Sequence, residues 1–211
     1  MKLSDIRKDY TLKSLDISDV STDPFRQFSL WFDEAVDSEA LEVNAMCLST
    51  LGLDGYPSGR IVLLKGVDEG FVFFTNYSSA KGKEIEAMPK ASLTFFWAEL
   101  ERQVRIVGDL EKISEAESDE YFFSRPVGSQ IGAWTSPQSQ RIENREVLAE
   151  RNKQLEDRFS REPITRPPHW GGYRLKPKQF EFWQGRSSRL HDRIGYEKNG
   201  EGKWTIFRLA P

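Results

Sequence analysis

A chain of 211 residues can bury a sizeable core without disulfides or metals, and a single domain spanning residues 1–211 is the expectation. The formal net charge of −3 excludes a general attraction to nucleic acid or to an anionic membrane, so an anionic ligand has to be held by local basic clusters. One cysteine, Cys47, permits no intrachain disulfide, and His169 and His191 are too few to build a Cys/His zinc site. The N-terminal residues lack the apolar core of a signal peptide and no apolar run is long enough to span a bilayer. A soluble, cytoplasmic protein is therefore expected.

Residues 1–20 read as a flexible N-terminal segment. Asp23-Pro24, followed by Phe25, Phe28, Trp31, Phe32 and Ala35, predicts a capped amphipathic helix whose aromatic stripe packs in the core. From residue 43 the pattern turns to strand. Segments 45–50, 59–65 and 71–75 form an antiparallel meander around an Asp54-Gly55 turn, with Cys47 read as a small buried hydrophobe. A short helix over 79–88 separates these from strands over 91–97 and 102–112, a sheet long enough to curl into a barrel.

Ser114 and Glu117 make a capping box that opens a helix to residue 123, and a long polar helix is predicted over 139–159. A proline-rich connector over 162–168 leads to strands over 172–175, 180–184 and 190–196. Asn199-Gly200 then turns the chain into a last strand over 203–209. Turns rather than crossover helices join most strands, which argues against a parallel sheet, and neither a G-x-G-x-x-G pattern nor a P-loop is present. A phosphate must then be gripped by side chains.

Basic clusters beside hydroxyl, amide and aromatic groups have the mixture that a planar phosphorylated ligand requires. Arg60 and Lys65 bracket one strand, on opposite faces if no bulge intervenes. Thr75, Ser79 and Lys81 surround a helix start, a ready anion site. Arg125 closes a helix next to a stretch rich in Gly, Ser and Gln that reads as a binding loop, and alternation puts Arg189, His191 and Arg193 on one face of a strand.

At this last cluster, Glu181-Phe182-Trp183-Gln184-Gly185 with Arg189-Leu190-His191-Asp192-Arg193 closely resembles the pyridoxamine/pyridoxine 5′-phosphate oxidases. The resemblance extends through the Arg60 to Lys65 strand, Phe73-Phe74-Thr75-Asn76, Glu101-Arg102-Gln103-Val104, Ser124-Arg125-Pro126, Ser129 to Trp134 and the terminal Arg208-Leu209-Ala210-Pro211. It implies a mainly β, antiparallel, FMN-binding split β-barrel with flanking helices, assembled as a homodimer with flavin sites at the interface. It further implies that pyridoxamine 5′-phosphate and pyridoxine 5′-phosphate are oxidised by O2 to pyridoxal 5′-phosphate.

By the same resemblance Arg60, Ser79 and Lys81 hold the FMN phosphate region, while Ile61, Val62, Leu63, Leu64, Lys65, Phe74, Thr75 and Gln103 line the flavin. Gln138, Ser139, Trp183 and Arg193 approach it from the other subunit. Lys65, Tyr121, Arg125 and Ser129 fall to the substrate phosphate, Arg189 and His191 to the reacting ring as catalytic residues, and Arg7 and Tyr10 to a segment covering the substrate. Ala80 departs from the family pattern, in which an Arg commonly precedes the Lys, and Phe74 stands where Tyr is frequent.

Overall fold

The computed structural model describes residues 2–6 and 8–211, so Arg7 lies outside the described residues. Helix α1 (Pro24–Asp37) starts where Asp23 accepts a hydrogen bond from the Phe25 amide and Pro24 occupies the first helical position. Its buried stripe of Phe28, Trp31 and Ala35 enters the sheet interior. Phe28 packs edge-on against Phe71 at 4.9 Å between ring centroids, and Trp31 edge-on against Phe182 at 5.2 Å. Burial of side chains this large contributes about 3 kcal/mol each, so α1 is a structural part of the core.

The strands are β1 (Ala45–Leu51), β2 (Pro57–Leu63), β3 (Gly66–Val67), β4 (Phe71–Asn76), β5 (Lys90–Trp97), β6 (Arg102–Lys112), β7 (Trp170–Gln184), β8 (Asp192–Lys198) and β9 (Trp204–Leu209). They form one antiparallel sheet in the order β2-β1-β5-β6-β7-β4-β3, with β8 also paired to β7 and β9 to β8. The sheet does not close by hydrogen bonds. Strand β2 runs beside β4 without pairing to it, and this seam makes the barrel a split one.

The two strands expected over 172–175 and 180–184 are one 15-residue strand, β7. Pro177 looks like a breaker but costs no ladder bond. It faces Gly108 at the register shift in β6, in the gap where β4 has ended at Leu175 and β8 has not begun before Gln179. Along its other edge β7 therefore serves β4 with its first half and β8 with its second.

Helices α2 (Ala80–Ala87), α3 (Glu115–Ser124), α4 (Val127–Thr135) and α5 (Glu146–Phe159) fill the remaining connections. The segment read as a binding loop after Arg125 is α4: its glycines and serine masked the helical placement of Ile131 in the core. The helix expected over 139–159 begins only at Glu146. Ser139 has a left-handed φ of 69°, and the Asn144 side chain accepts from the Val147 amide at the true start. Cys47 is half-buried on the outward side of β1, because alternation assigns the core to its neighbours Met46 and Leu48. No helix among the described residues is long and apolar enough to cross a membrane.

Candidate active site

A cleft of about 580 Å³ opens along the β2/β4 seam. Strand β2 and the turn after it supply Arg60, Ile61, Val62, Leu63 and Lys65, and β4 supplies Phe74, Thr75 and Asn76. Lys65 lies past the end of β2, so strand alternation no longer binds it and it joins Arg60 in one cleft. Lys81 comes from the first turn of α2. Tyr121, Arg125 and Ser129 come from the α3/α4 region, with Gln138 from the segment beyond. Gln138, assigned to the partner by resemblance, thus reaches the cleft from its own chain, where its Oε1 accepts from Lys81 Nζ at 3.2 Å.

The walls are aromatic. Phe74 stacks on Tyr121 at 4.0 Å and on Trp170 at 5.4 Å, while Lys65 and Arg125 lie over Tyr121 and Trp170 at 5.9 and 4.7 Å. Arg60 sits at the floor, its Nη2 2.8 Å from Oε2 of Glu84, which Thr50 also meets at 2.6 Å. Burial pushes the Lys81 pKa down, and the nearby Arg60 charge adds to the effect. Burial likewise lowers Arg125, whose buried Nη1 finds no hydrogen-bond partner among the described residues. Cations held this way are stabilised by anions placed among them.

A second depression, of about 570 Å³, is lined by Lys8, Tyr10, Arg186, Ser188, Arg189 and His191. The expected strand over 190–196 begins only at Asp192. Arg189 is an exposed residue of the 3₁₀ turn Ser187–Arg189 and shares no strand face with His191 and Arg193. Ser188 and Arg189 have left-handed φ values of 54° and 61°, a local strain of about 1 kcal/mol or more each. The His191 ring lies 4.5 Å from that of Trp183, and Arg193 pairs across the sheet with Trp183. Gln103 neighbours Trp183 on β6. A bidentate pair with Glu181 holds Arg193 and raises its pKa.

His191 Nδ1 accepts a 3.1 Å hydrogen bond from the Arg186 amide, so in the neutral ring the proton resides on Nε2. The free edge of His191 is then a hydrogen-bond donor rather than a base.

Besides Gln103, Trp183 and Arg193, which gather at the far end of β7, three further residues expected to line or approach the flavin lie outside the cleft. Leu64 is buried in the hydrophobic core. Ser79 is fully buried as the α2 cap, donating to the Asn76 carbonyl and accepting from the Gly82 amide. Ser139 lines a neighbouring depression with Ala80 and Lys83. Conversely Glu84, Thr50, Asn76 and Trp170 were not foreseen as site residues. No local signal distinguishes Glu84 from any exposed helix carboxylate, whereas Trp170, following the proline-rich connector, could have been suspected.

Comparison with known proteins decides the family. A family model described as pyridoxamine 5′-phosphate oxidase matches residues 32–158, and one described as the pyridoxine 5′-phosphate oxidase C-terminal dimerisation region matches residues 170–211. The chain belongs to the pyridoxamine 5′-phosphate oxidase family.

Among relatives of this oxidase, the pyridoxine/pyridoxamine 5′-phosphate oxidase of Ralstonia pickettii is 58% identical over 99% of both chains. That of Bordetella pertussis is 58% identical over 100% of both. The structure of PhzG from Burkholderia lata 383, in complex with tetrahydrophenazine-1-carboxylic acid, superposes with a TM-score of 0.87 at 31% identity, covering 95% of this chain and 100% of that one. An FMN binding protein of Nostoc punctiforme, described as pyridoxamine 5′-phosphate oxidase-related, shares the fold at a TM-score of 0.71 and 20% identity, covering 91% of this chain and 100% of its own. The protein is an oxidoreductase of this family.

In this oxidase the cleft and the His191 cluster lie apart. Trp170 and Trp183 are near opposite ends of β7, roughly 40 Å along its path.

Proposed function

We propose that the protein is an FMN-dependent oxidase that converts pyridoxamine 5′-phosphate and pyridoxine 5′-phosphate to pyridoxal 5′-phosphate in the cytoplasm. It works as a homodimer in which the cleft of one subunit is completed by the Arg189/His191 cluster of the other. The observation that carries this reading is the cleft itself, where aromatic walls meet cations from separate elements: Arg60 and Lys81 on one side, Lys65 and Arg125 on the other. Two phosphate esters need two such sets. The names of relatives 54–58% identical over essentially the whole chain support the same substrates.

FMN, held by these residues, would supply the redox chemistry: a two-electron oxidation of the substrate at C4′ with O2 as final acceptor, reduced to hydrogen peroxide. Arg60 and Lys81 bind the cofactor phosphate, with Gln138 orienting the Lys81 ammonium. Lys65, Tyr121, Arg125 and Ser129 grip the substrate phosphate. Arg189 and His191 approach the substrate ring from the second subunit, where the Nε2–H of His191 donates a hydrogen bond and Arg189 orients the ring. Trp183 and Arg193 close the site from that side. The partner docks on the outward sheet face, where Ile61, Leu63, Phe96 and Val107 are exposed.

The test is direct. The purified protein is supplied with FMN and then with pyridoxamine 5′-phosphate in air, and peroxide and the aldehyde chromophore are followed. Formation of both in equal amounts is the expected result. A protein that binds FMN but makes neither would be a carrier, and the oxidase reading would be wrong.

A further inference from the structure

We infer that Glu101 is a positioning residue for the oxidase reaction: its buried carboxylate latches the N-terminal strap that carries Tyr10 onto the Trp183/His191 cluster. The inference rests on the proposed role of that cluster.

Glu101 occupies the turn between β5 and β6 with a left-handed φ of 55°, a conformation rarely adopted by a glutamate. Its residue exposure is only 2%, so its charge must be compensated. The partners it finds are the strap itself. Oε2 accepts the backbone amides of Thr11 at 2.9 Å and Leu12 at 3.1 Å, and Oε1 lies 3.4 Å from Lys8 Nζ. Its backbone carbonyl accepts from the Gly185 amide at 2.7 Å, in the connection leading to the Ser187–Arg189 turn. One residue thus grips the strap with its side chain and the Arg189 loop with its backbone.

Between these grips lies Tyr10. Its ring is edge-on to Trp183 at 5.8 Å and 6.0 Å from the His191 ring. It sits directly on Gly185, where an added Cβ would come within 2.7 Å of Tyr10 Cγ. Gly185 is the seat that lets the ring down onto the cluster. Farther along, the strap is tied again, by Asp192 accepting the Leu15 amide and by Arg208 donating to the Leu15 carbonyl. Without Glu101 the strap remains tethered at Leu15 but loses the fixing of residues 8–12.

The latch is tested with the FMN-loaded full-length dimer by two variants acting on different atoms. Glu101→Gln keeps one acceptor but removes the charge that two amides and Lys8 share, and Gly185→Ala lifts Tyr10 while leaving Glu101 intact. Each should speed hydrogen exchange at the Thr11 and Leu12 amides by about tenfold, with exchange in β6 and β7 unchanged. In steady state each should raise KM for pyridoxamine 5′-phosphate by about tenfold, with kcat retained within a few-fold. Restoring the carboxylate by Glu101→Asp should recover part of the exchange protection, which a general packing defect would not show. Unchanged exchange at Thr11 and Leu12 in Glu101→Gln, or an increase spread equally through β6 and β7, would overturn the latch. The exchange measurement needs no turnover, so it decides the latch even if the protein proves inactive on this substrate.

Discussion

Nη2 of Arg60 lies 2.8 Å from Oε2 of Glu84, so the cation at the floor of the cleft is already partly neutralised before any phosphate arrives. Glu84→Gln leaves an acceptor for Thr50 but removes this counter-charge. Breaking a fully buried pair costs about 3–5 kcal/mol. Here the Arg60 side chain is 19% exposed, and a loss of about 2 kcal/mol is expected. The flavin-free protein should melt about 4–8 °C lower. Saturating FMN should restore part of that difference, because its phosphate replaces the missing charge. Melting curves with and without FMN check this, and an equal drop in both would show that Arg60 does not face the phosphate.

The separation of the cleft from the His191 cluster along β7 predicts complementation between subunits. Arg125→Ala damages the cleft, and Arg189→Ala damages the cluster. If each site combines one of each from different chains, a mixed dimer has one intact site. Random subunit exchange between the two variants, assayed at substrate concentrations far below the wild-type KM where Arg125→Ala sites are nearly silent, should then recover about a quarter of wild-type activity. Recovery absent despite confirmed exchange would mean that both sets act within one chain.

Arg125 should affect binding rather than turnover. Its target, the substrate phosphate, does not react, so the interaction is equal in ground and transition states, and Arg125→Ala should raise KM with little change in kcat. Because Nη1 of Arg125 is buried without a hydrogen-bond partner among the described residues, the variant should also be no less stable than the parent in the absence of ligand. Steady-state kinetics and a denaturant titration of the same preparation measure both.

Replacing Arg189 should instead slow the loss of flavin absorbance in anaerobic stopped-flow at saturating substrate, since it orients the substrate ring for hydride transfer. His191 offers a sharper distinction. With Nδ1 occupied by the Arg186 amide, a donor role predicts that His191→Gln retains most of the rate. A drop of a hundredfold or more would mark a base.

Ala80 opens α2, exposed, between the Ser79 cap and Lys81, beside the cleft. Ala80→Arg adds a guanidinium there, and a hydrogen bond to a charged group contributes about 1.5–3 kcal/mol. FMN should bind roughly tenfold tighter or more. Fluorescence titration of the flavin checks it, and an unchanged Kd with the fold intact would place residue 80 out of reach.

Local physics made most of the elements legible. The Asp23-Pro24 start of α1, the Ser114/Glu117 capping box of α3 and the Asp54-Gly55 turn each satisfy a backbone requirement within a few residues, so the chain states them directly. Arg60, Lys81 and Arg125, standing in separate stretches beside hydroxyl, amide or aromatic groups, also point to a phosphorylated planar ligand from the chain alone. Tertiary structure decided the rest, because the deciding contacts join residues far apart in sequence. Pro177 can lie within a strand only because β4 and β8 leave a gap beside it. Lys65 shares a cleft with Arg60 only because β2 ends before it, and Ser79 is turned from ligand to cap by the buried start of α2. Glu84 and Glu101 look like ordinary surface carboxylates in the chain. Burial made them structural, by forcing each to find compensating donors from segments 24 and 90 residues away.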